Sequence, residues 1–259
     1  MTKTILSSQF YNEVINYHKL CNNFNYVVNP SIPIIFFGDL ESYSKESLKV
    51  LTVGLNPSDT EFRLNKHDKY SLIRFPEYNE DYKSLELTLN NYFKNIPYKR
   101  WFNSLEPFIN GLGCSFYPNN SLKKVIHTDI CSPLATFPTW SKLNKNIKKE
   151  LFNRGFLIWK KLISETKPDL IIISTRYEYV KLLNPKKIKT LHTISKKKDG
   201  SPRRPFNLDL FEVNINNHKT LMVYGEPKNT PFGSVTTNDK TKMGRICLNF
   251  IKVISKAGS

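Results

Sequence analysis

Apolar residues along the chain occur either in short continuous runs or in longer stretches where they recur every three or four positions. The runs predict strands, and the aliphatic run at 170–173 is typical of a central strand in a parallel sheet, which is buried on both faces. The predicted strands are residues 49–55, 124–131, 170–173, 208–215 and 220–224. The helical spacing predicts helices at residues 8–21, 84–94, 98–110, 146–166, 177–183 and from about 242 onward.

Strands that alternate with helices predict an α/β sandwich around a largely parallel sheet. The chain has no internal repeat and no linker rich in Gly, Ser or Pro. We therefore expect a single domain over residues 1–259, with a helical N-terminal extension over about residues 1–35. In such sheets the active site lies beyond the carboxyl ends of the strands. Functional residues are therefore expected in the segments that follow the strands: 54–63, 128–140, 174–177 and 225–235.

The chain carries 39 Lys and Arg residues against 22 Asp and Glu residues, a formal net charge of +17 at pH 7. Such an excess favours a polyanionic partner, because each phosphate that a cation neutralises releases condensed counterions. We therefore expect the partner to be nucleic acid, and DNA in particular. An anionic membrane surface and a purely solubilising charge are the alternatives.

The most basic segment, residues 196–204, is flanked by turn residues and predicts an exposed loop. Its cations are candidates for contacts with DNA phosphates: Lys196, Lys197, Lys198, Arg203 and Arg204. A charge run that only faces solvent is the alternative interpretation.

The four cysteines are widely scattered and form no C-x-x-C pair. This spacing indicates reduced thiols rather than a zinc site or an iron–sulfur cluster. No apolar run approaches the length of a membrane span, and residues 1–10 lack the apolar stretch of a secretory signal. We expect a cytoplasmic monomer that needs no metal and no cofactor.

The first predicted strand leads into Gly54-Leu55-Asn56-Pro57-Ser58. Asn-Pro is common in turns and Gly permits tight packing, so the segment also has a purely structural interpretation. Gly-x-Asn-Pro after the first core strand resembles the water-activating motif of the mismatch-specific and single-strand-selective branches of the uracil-DNA glycosylase superfamily. The resemblance implies that Asn56 holds the hydrolytic water.

A second segment, residues 125–133, is similar to the strand-end motif with which this superfamily reads the Watson–Crick edge of a flipped base. The family uses an Asn for this, and the matching residue here is Asp129. Residues 97–102 and 135–141 also look like a poorly characterised bacterial branch, and the resemblance covers roughly residues 36–250. It implies a three-layer αβα sandwich with a central, mainly parallel sheet of about four strands. The implied activity is that of a monofunctional DNA glycosylase, which leaves an abasic site.

The resemblance also implies an aromatic side chain that stacks on the flipped base, on the loop after the water motif. Phe75 is the best match and Phe62 the second, and burial in the core is the alternative for each. Asp59, and beside it Glu61, are candidates for assisting the water, with simple solvation as the alternative.

In the family, a His in the last strand-end loop stabilises the departing base. The corresponding residues 224–233 contain no His. Lys228 is the candidate for supplying positive charge there, and backbone N–H groups are the other source. A phosphate contact or plain exposure to solvent are the alternatives for Lys228.

Two departures from the family favour a substrate other than uracil. Uracil-specific members exclude a C5 substituent with a bulky Tyr two residues after the catalytic carboxylate, and Ser58 stands at that point. An ionised Asp129 would only accept hydrogen bonds, which suits the exocyclic amine of cytosine. Together they favour a cytosine modified at C5, such as those of phage DNA, and hence a role in antiviral defence.

Other functions remain as alternatives. The first is a conventional repair glycosylase for uracil or another deaminated base, and the second is a catalytically inactive nucleic-acid-binding module, which the missing His favours. A metal-dependent nuclease needs clustered carboxylates with a Lys, and Asp169 and Glu178 make no convincing set. A nucleotide-binding enzyme is disfavoured because neither G-x-G-x-x-G nor a P-loop sequence is present.

Overall fold

The computed structural model describes residues 5–118, 122–197 and 199–257. The helices in these ranges are α1 (Ser8–Cys21), α2 (Leu40–Lys45), α3 (Tyr82–Asn91), α4 (Lys99–Gly111), α5 (Lys145–Thr166), α6 (Tyr177–Lys181) and α7 (Thr237–Ala257). The strands are β1 (Val50–Gly54), β2 (Cys114–Ser115), β3 (Lys123–Asp129), β4 (Leu170–Ile173), β5 (Lys186–Lys196), β6 (Pro202–Ile215) and β7 (His218–Gly225). Within the described ranges, no helix combines the length and the apolar character that crossing a membrane requires.

Three of the helices, α1, α3 and α5, begin where the sequence offers a polar side chain as a cap. Ser7 accepts a hydrogen bond from Phe10 N at the start of α1, Asp81 accepts two at the start of α3, and Asn144 accepts one at the start of α5. Such caps satisfy backbone N–H groups that have no partner within the helix. The helices predicted from residues 84 and 146 therefore start slightly earlier, at their caps.

The seven strands form one sheet in the order β2-β3-β1-β4-β7-β6-β5. Neighbouring strands are parallel from β2 to β7, whereas β7 with β6 and β6 with β5 are antiparallel. The α/β class is therefore confirmed. The expected sheet of about four mainly parallel strands is wrong, because the sheet is mixed and has seven strands.

The extra strands have physical reasons for leaving no apolar run in the sequence. β5 lies at the edge of the sheet with most of its residues exposed, and backbone hydrogen bonds to β6 hold it in place. The first residues of β6, from Pro202, are largely exposed in the same way, and β2 has only Cys114 and Ser115. Backbone pairing needs no apolar side chains, so the pattern could not mark these strands.

The basic segment 196–204, expected to be an exposed loop, lies partly in strands at its two ends. Lys196 ends β5, and Arg203 and Arg204 lie in β6. The turn between the strands includes a hydrogen bond of 2.8 Å from Lys197 N to the carbonyl of Ser201. Lys198 lies outside the described residues.

β1 and β4 form the centre of the sheet, and every residue of both strands is buried. This confirms the strand predicted at 49–55 and the central parallel strand predicted at 170–173. The parallel register sets Val50 opposite Leu170, and on the other side of β1 it sets Gly54 opposite Asp129. The pairings bring the carboxyl ends of β1, β3, β4 and β7 to one edge of the sheet.

The helices α4 and α7 cross with their backbones in direct contact. A Cβ atom on Gly111 would lie 2.3 Å from the carbonyl oxygen of Thr241, and one on Gly244 would lie 2.2 Å from that of Phe108. Real Cβ atoms do not approach backbone so closely, so both positions require glycine. The crossing fixes α7, and with it the end of the loop between β7 and α7.

We expect Gly244→Ala to lower the free energy of unfolding by about 1–3 kcal/mol, the usual cost of forcing an extra methyl group into a packed contact. Alanine is the better helix former by about 1 kcal/mol, so any loss of stability reports the crossing. Urea denaturation measures the change. Asn249→Ala, on an exposed position of the same helix, is the control and should cause no loss. A Gly244→Ala protein as stable as the original would contradict the close crossing.

Candidate functional site

A cleft of about 480 Å³ opens at the edge where β1, β3, β4 and β7 end. Its wall is built from the segments that follow these four strands, together with the start of α4. This position agrees with the rule that sites in α/β sheets lie beyond the carboxyl ends of the strands. The lining residues on which the chemistry depends are Asn56, Ser58, Glu61, Trp101, Asp129 and Arg176.

The side-chain amide of Asn56 is held in one orientation. Its Nδ2 atom donates to the carbonyl of Pro57 and to Oγ1 of Thr136, each over 2.8 Å. Both amide hydrogens are thereby engaged, and Oδ1 accepts no hydrogen bond among those found between described residues. A half-buried amide oxygen in the wall of the cleft is therefore available to a ligand or a water molecule.

Thr136, which fixes this orientation, is itself held from two sides. Its backbone N–H donates to the carbonyl of Pro57, and its backbone forms β-bridges with Ser58 and with Val27. The segment after β3 thus runs between the Asn56 loop and the chain that follows α1. The expected helical N-terminal extension contributes α1, and the residues after it support the site.

Ser58 lies in the wall of the cleft, as expected from the motif. Its Oγ atom is hydrogen-bonded to Oγ1 of Thr60. A small side chain turned to a neighbour leaves space beside Asn56 that a Tyr would fill.

Asp129 is buried at the end of β3, and its place depends on Gly54. The two residues are opposite each other in the parallel register, and a Cβ atom on Gly54 would lie 2.3 Å from Oδ1 of Asp129. Burial raises the pKa of Asp129 well above its usual value, and the negative charge of Glu61 raises it further. This shift favours the neutral carboxyl over the ionised, accept-only Asp129 that the sequence predicts. A neutral carboxyl offers one donor and one acceptor.

His127, two residues before Asp129, is the nearest ring nitrogen to its carboxyl, with Nε2 3.8 Å from Oδ1. Burial lowers the pKa of His127 to about 3, so the ring is neutral and forms no ion pair with Asp129. Its Nδ1 atom lies 2.9 Å from Oγ1 of Thr52. Alternation along a strand puts His127 and Asp129 on the same face, so the sequence contains a signal that places His127 beside Asp129.

Glu61 is a second buried acid in the cleft and sits in the 3-10 turn Asp59–Phe62. The hydroxyl of Tyr92 donates to Glu61 Oε2 over 2.5 Å, and Tyr98 N donates to the same hydroxyl over 2.8 Å. Burial raises the pKa of Glu61 to about 7, although the hydrogen bond from Tyr92 and the charge of Arg74 act in the opposite direction. Glu61 and Asp129 therefore form two neighbouring acids that resist ionisation.

Asp59 does not line the cleft. Its buried carboxylate forms an ion pair with Arg63. The expectation that Asp59 assists the water therefore gains no support, because its charge is already paired elsewhere. The acid that the turn presents to the cleft is Glu61.

Phe75 and Phe62 are buried in the core and do not line the cleft, so neither is placed to stack on a base. Their ring centroids lie 5.2 Å apart, and Phe75 also packs against Tyr92. The loop folds back on itself, with Ser71 N donating to the carbonyl of Phe62, and this turns its apolar side chains inward. The alternative interpretation of Phe75 and Phe62, as core residues, is the one that fits.

Other aromatic side chains line the cleft: Phe37, Tyr98, Trp101, Phe102 and Trp140. Tyr98 and Trp101 are only half-buried, so part of each ring is open to the cleft. The Trp101 ring lies 4.4 Å from that of His127, which places it above the floor formed by β3. Trp101 belongs to the segment 97–102 that resembles the family. Its place on the apolar face of a predicted helix gave no sign that it lines the cleft.

None of the predicted cations that the structure describes lines the cleft. Lys228 is exposed and outside the lining, whereas Lys196, Lys197 and Arg203 together line a separate groove beside the start of α7. Arg204 is paired with Glu226 over 3.3 Å.

Arg176, directly after β4, lines the cleft itself, and its side chain is 65% exposed. It was missed because a single Arg in a strand-end segment carries no pattern.

The carboxylates considered for a nuclease are far from forming a cluster. Asp169 precedes β4, where its Oδ2 accepts from Lys49 N over 2.7 Å, so it lies at the opposite end of the strand from the cleft. Glu178 lies in α6 with its carboxylate exposed. Among the residues with described positions, no three His, Cys, Asp or Glu side chains are arranged to hold a metal ion.

We expect Gly54→Ala to destabilise the protein by about 1–3 kcal/mol, because the new methyl group overlaps the Asp129 carboxyl. Urea denaturation in two backgrounds tests the cause. In an Asp129→Ala background the oxygen is gone, so the same substitution should cost less, with a coupling of about 0.5–3 kcal/mol. An equal cost in both backgrounds would show that the contact between Gly54 and Asp129 is not the reason for the glycine.

The raised pKa of Glu61 predicts how stability depends on pH. Between about pH 4.5 and 7, Glu61 is ionised in the unfolded chain but protonated in the folded one. Raising the pH favours the state that binds fewer protons, so this group lowers stability by up to about 1.4 kcal/mol per pH unit over that window.

Glu61→Gln removes this effect and keeps an acceptor for Tyr92. We expect this variant to match the original protein near pH 4.5 and to be the more stable of the two at pH 8, by urea denaturation. Glu165→Gln, at an exposed position on α5, is the control and should show the original pH dependence. A constant difference between Glu61→Gln and the original across this range would contradict a protonated Glu61.

Comparison with known proteins identifies no relative, since no family model, no curated protein and no solved structure matches the chain. A functional interpretation therefore rests on the geometry of the cleft, on the net charge of the chain, and on the resemblance of the short motifs around Asn56 and Asp129.

Proposed function

We propose that the chain is a monofunctional DNA glycosylase that hydrolyses the N-glycosidic bond of a flipped-out pyrimidine and leaves an abasic site. The observation that carries this proposal is the fixed amide of Asn56, whose free Oδ1 shares one cleft with the carboxyl of Asp129, a group whose pKa burial raises. One group suits a hydrolytic water, and the other suits the hydrogen-bonding edge of a base.

The proposed mechanism assigns one task to each part of the cleft. The target nucleotide is swung out of the stack, because a base inside a duplex is out of reach. Asp129 hydrogen-bonds its Watson–Crick edge, and Trp101, rather than Phe75, packs against its ring. Oδ1 of Asn56 accepts a hydrogen bond from a water and directs its oxygen toward C1′ while the glycosidic bond breaks through an oxocarbenium-like state. Positioning of this kind contributes strongly to the rate of a two-reactant step.

The proposed target is a cytosine with a substituent at C5, such as occurs in phage DNA, and the proposed role is antiviral defence. A neutral Asp129 donates to cytosine N3 and accepts from the exocyclic amine. It would also pair with O4 and N3–H of uracil, so the hydrogen bonding alone admits the conventional repair substrate. Ser58 favours the modified cytosine, because it leaves space beside C5.

DNA binding is proposed to follow the positive charge around the cleft. Arg176 stands at its rim, and the loop after β7 leads from the cleft to the groove of Lys196, Lys197 and Arg203, where Arg203 Nη1 donates to the carbonyl of Ser234. The three-layer αβα arrangement of the superfamily, a monomeric state and a cytoplasmic location belong to the same proposal.

A second candidate function is a nucleic-acid-binding module without catalysis. It is favoured by the loop after β7, which contains no His and turns Lys228 outward. It predicts binding to DNA without release of any base.

The test is incubation with oligonucleotides that carry one uracil, one cytosine or one 5-hydroxymethylcytosine, single-stranded and in duplex, followed by mass spectrometry of released bases and by alkali cleavage. We expect release of the modified cytosine and alkali-labile sites, also in the presence of chelator. Asn56→Ala should lower the rate at least about 100-fold with DNA affinity retained, because only the positioning of the water is lost. Asn249→Ala is the matched control. Binding of DNA with no release of a base would support the non-catalytic binding module. Release of uracil alone would contradict the modified-cytosine proposal.

A further inference from the structure

The carboxyls of Asp129 and Glu61 together form an acid pair. Both are buried, with exposed fractions of 9% and 6%, and both line the same cleft. Glu61 is tethered by the Tyr92 hydroxyl, whereas Asp129 has room for its carboxyl only because residue 54 is glycine. Two like charges in one buried cleft oppose each other, which favours a proton on the pair.

Among the described residues around the acid pair, the charge of Arg74 and the hydrogen bond from Tyr92 favour ionisation, and both act on Glu61 rather than on Asp129. His127, beside Asp129 on β3, is neutral, and Tyr92 donates to Glu61 rather than taking a proton from it. Arg74 is itself engaged, because it donates to the backbone carbonyls of Ile96 and Arg63. Burial raises the pKa of the Cys131 thiol, which follows β3, so that this group is neutral as well.

We propose that Asp129 is a catalytic general acid, which transfers its carboxyl proton to N3 of a cytosine-type base as the glycosidic bond breaks. This inference rests on the proposed glycosylase function and adds to it the group that activates the leaving base. The carboxyl lies in the cleft at the end of β3, opposite Gly54, and in the proposed binding mode it meets the Watson–Crick edge of the base, where its proton reaches N3.

The step balances without any co-reactant other than water. The O–H bond of Asp129 breaks and an N3–H bond forms, while the electron pair of the C1′–N1 bond stays with the base, which departs neutral. The water held by Asn56 bonds to C1′ and loses a proton to bulk water. Asp129, left as a carboxylate beside Glu61, then takes a proton from bulk water.

The proposal explains how the site works without a His in the last strand-end loop. A cation there would stabilise a base that departs as an anion. The cytosine anion is less stable than the uracil anion, because cytosine has one carbonyl group instead of two to take up the charge. Protonation at N3 avoids the anion, so Lys228 and its loop need supply no charge.

The test uses the full chain and single-stranded oligonucleotides with one 5-hydroxymethylcytosine or one 5-fluorocytosine. Asp129→Asn keeps a donor and an acceptor but has no transferable proton. We expect it to lower kcat about 100-fold or more on 5-hydroxymethylcytosine, within the range of general acid catalysis, with a much smaller change in KM. The loss should be smaller on 5-fluorocytosine, because fluorine stabilises the departing anion.

The pH profile gives the second readout. The original protein should lose kcat as the pH rises through the upper pKa of the acid pair, and Asp129→Asn should lack this decline. Glu61→Gln should move the decline to lower pH, because the negative charge that raises the pKa of Asp129 is gone. Glu165→Gln should leave the profile unchanged.

An Asp129→Asn variant that keeps the decline in kcat, or that loses equally on both bases, would overturn the acid role. Failure of the original protein to release any base would instead refute the glycosylase function itself. If Asp129→Asn does not fold, an unmoved profile in Glu61→Gln still contradicts the proposal.

Discussion

The parallel pairing of β1 with β3, in the register that sets Gly54 opposite Asp129, is the constraint on which the site depends. A shift of one residue would turn Asp129 away from the cleft and would place a side chain where its carboxyl now lies. Asn56 is two residues after Gly54, so the register that places Gly54 also places Asn56. One register therefore sets both the amide proposed to hold the water and the carboxyl proposed to read the base.

Burial gives these groups their chemical character. It raises the pKa of the Asp129 and Glu61 carboxyls and keeps the ring of His127 neutral. Because these acids destabilise the fold when they ionise, their presence at a strand end points to a functional role. Positive charge lies at the exposed side chain of Arg176, in the cleft wall, and in the groove beside α7, where it suits phosphates rather than the base.

The sequence predicted the parts of the fold that depend on apolar periodicity. β1, β4 and the long helix α5 lie close to where their patterns indicate, and the strand-end rule led to the segments that line the cleft. Strands held mainly by backbone pairing, such as β5, left no pattern, and α7 begins earlier than residue 242 because its first turn is polar. Motifs identified Asn56, Ser58 and Asp129, but not the neutral state of Asp129. That state depends on burial and on Glu61, which is distant in sequence. Phe75 was misjudged because an aromatic residue in a loop gives no sign of whether it faces a cleft or the core.

Hydrolysis in water enriched in oxygen-18 is the most direct measurement of the central claim, that this cleft directs water to the C1′ of a flipped nucleotide. We predict a released base, an intact phosphodiester backbone, and one oxygen-18 atom at C1′ of the abasic sugar, detected by mass spectrometry. Label in a phosphate at a broken strand would identify a nuclease, and DNA recovered unlabelled and unchanged would identify a binding protein. Either result would contradict the glycosylase function.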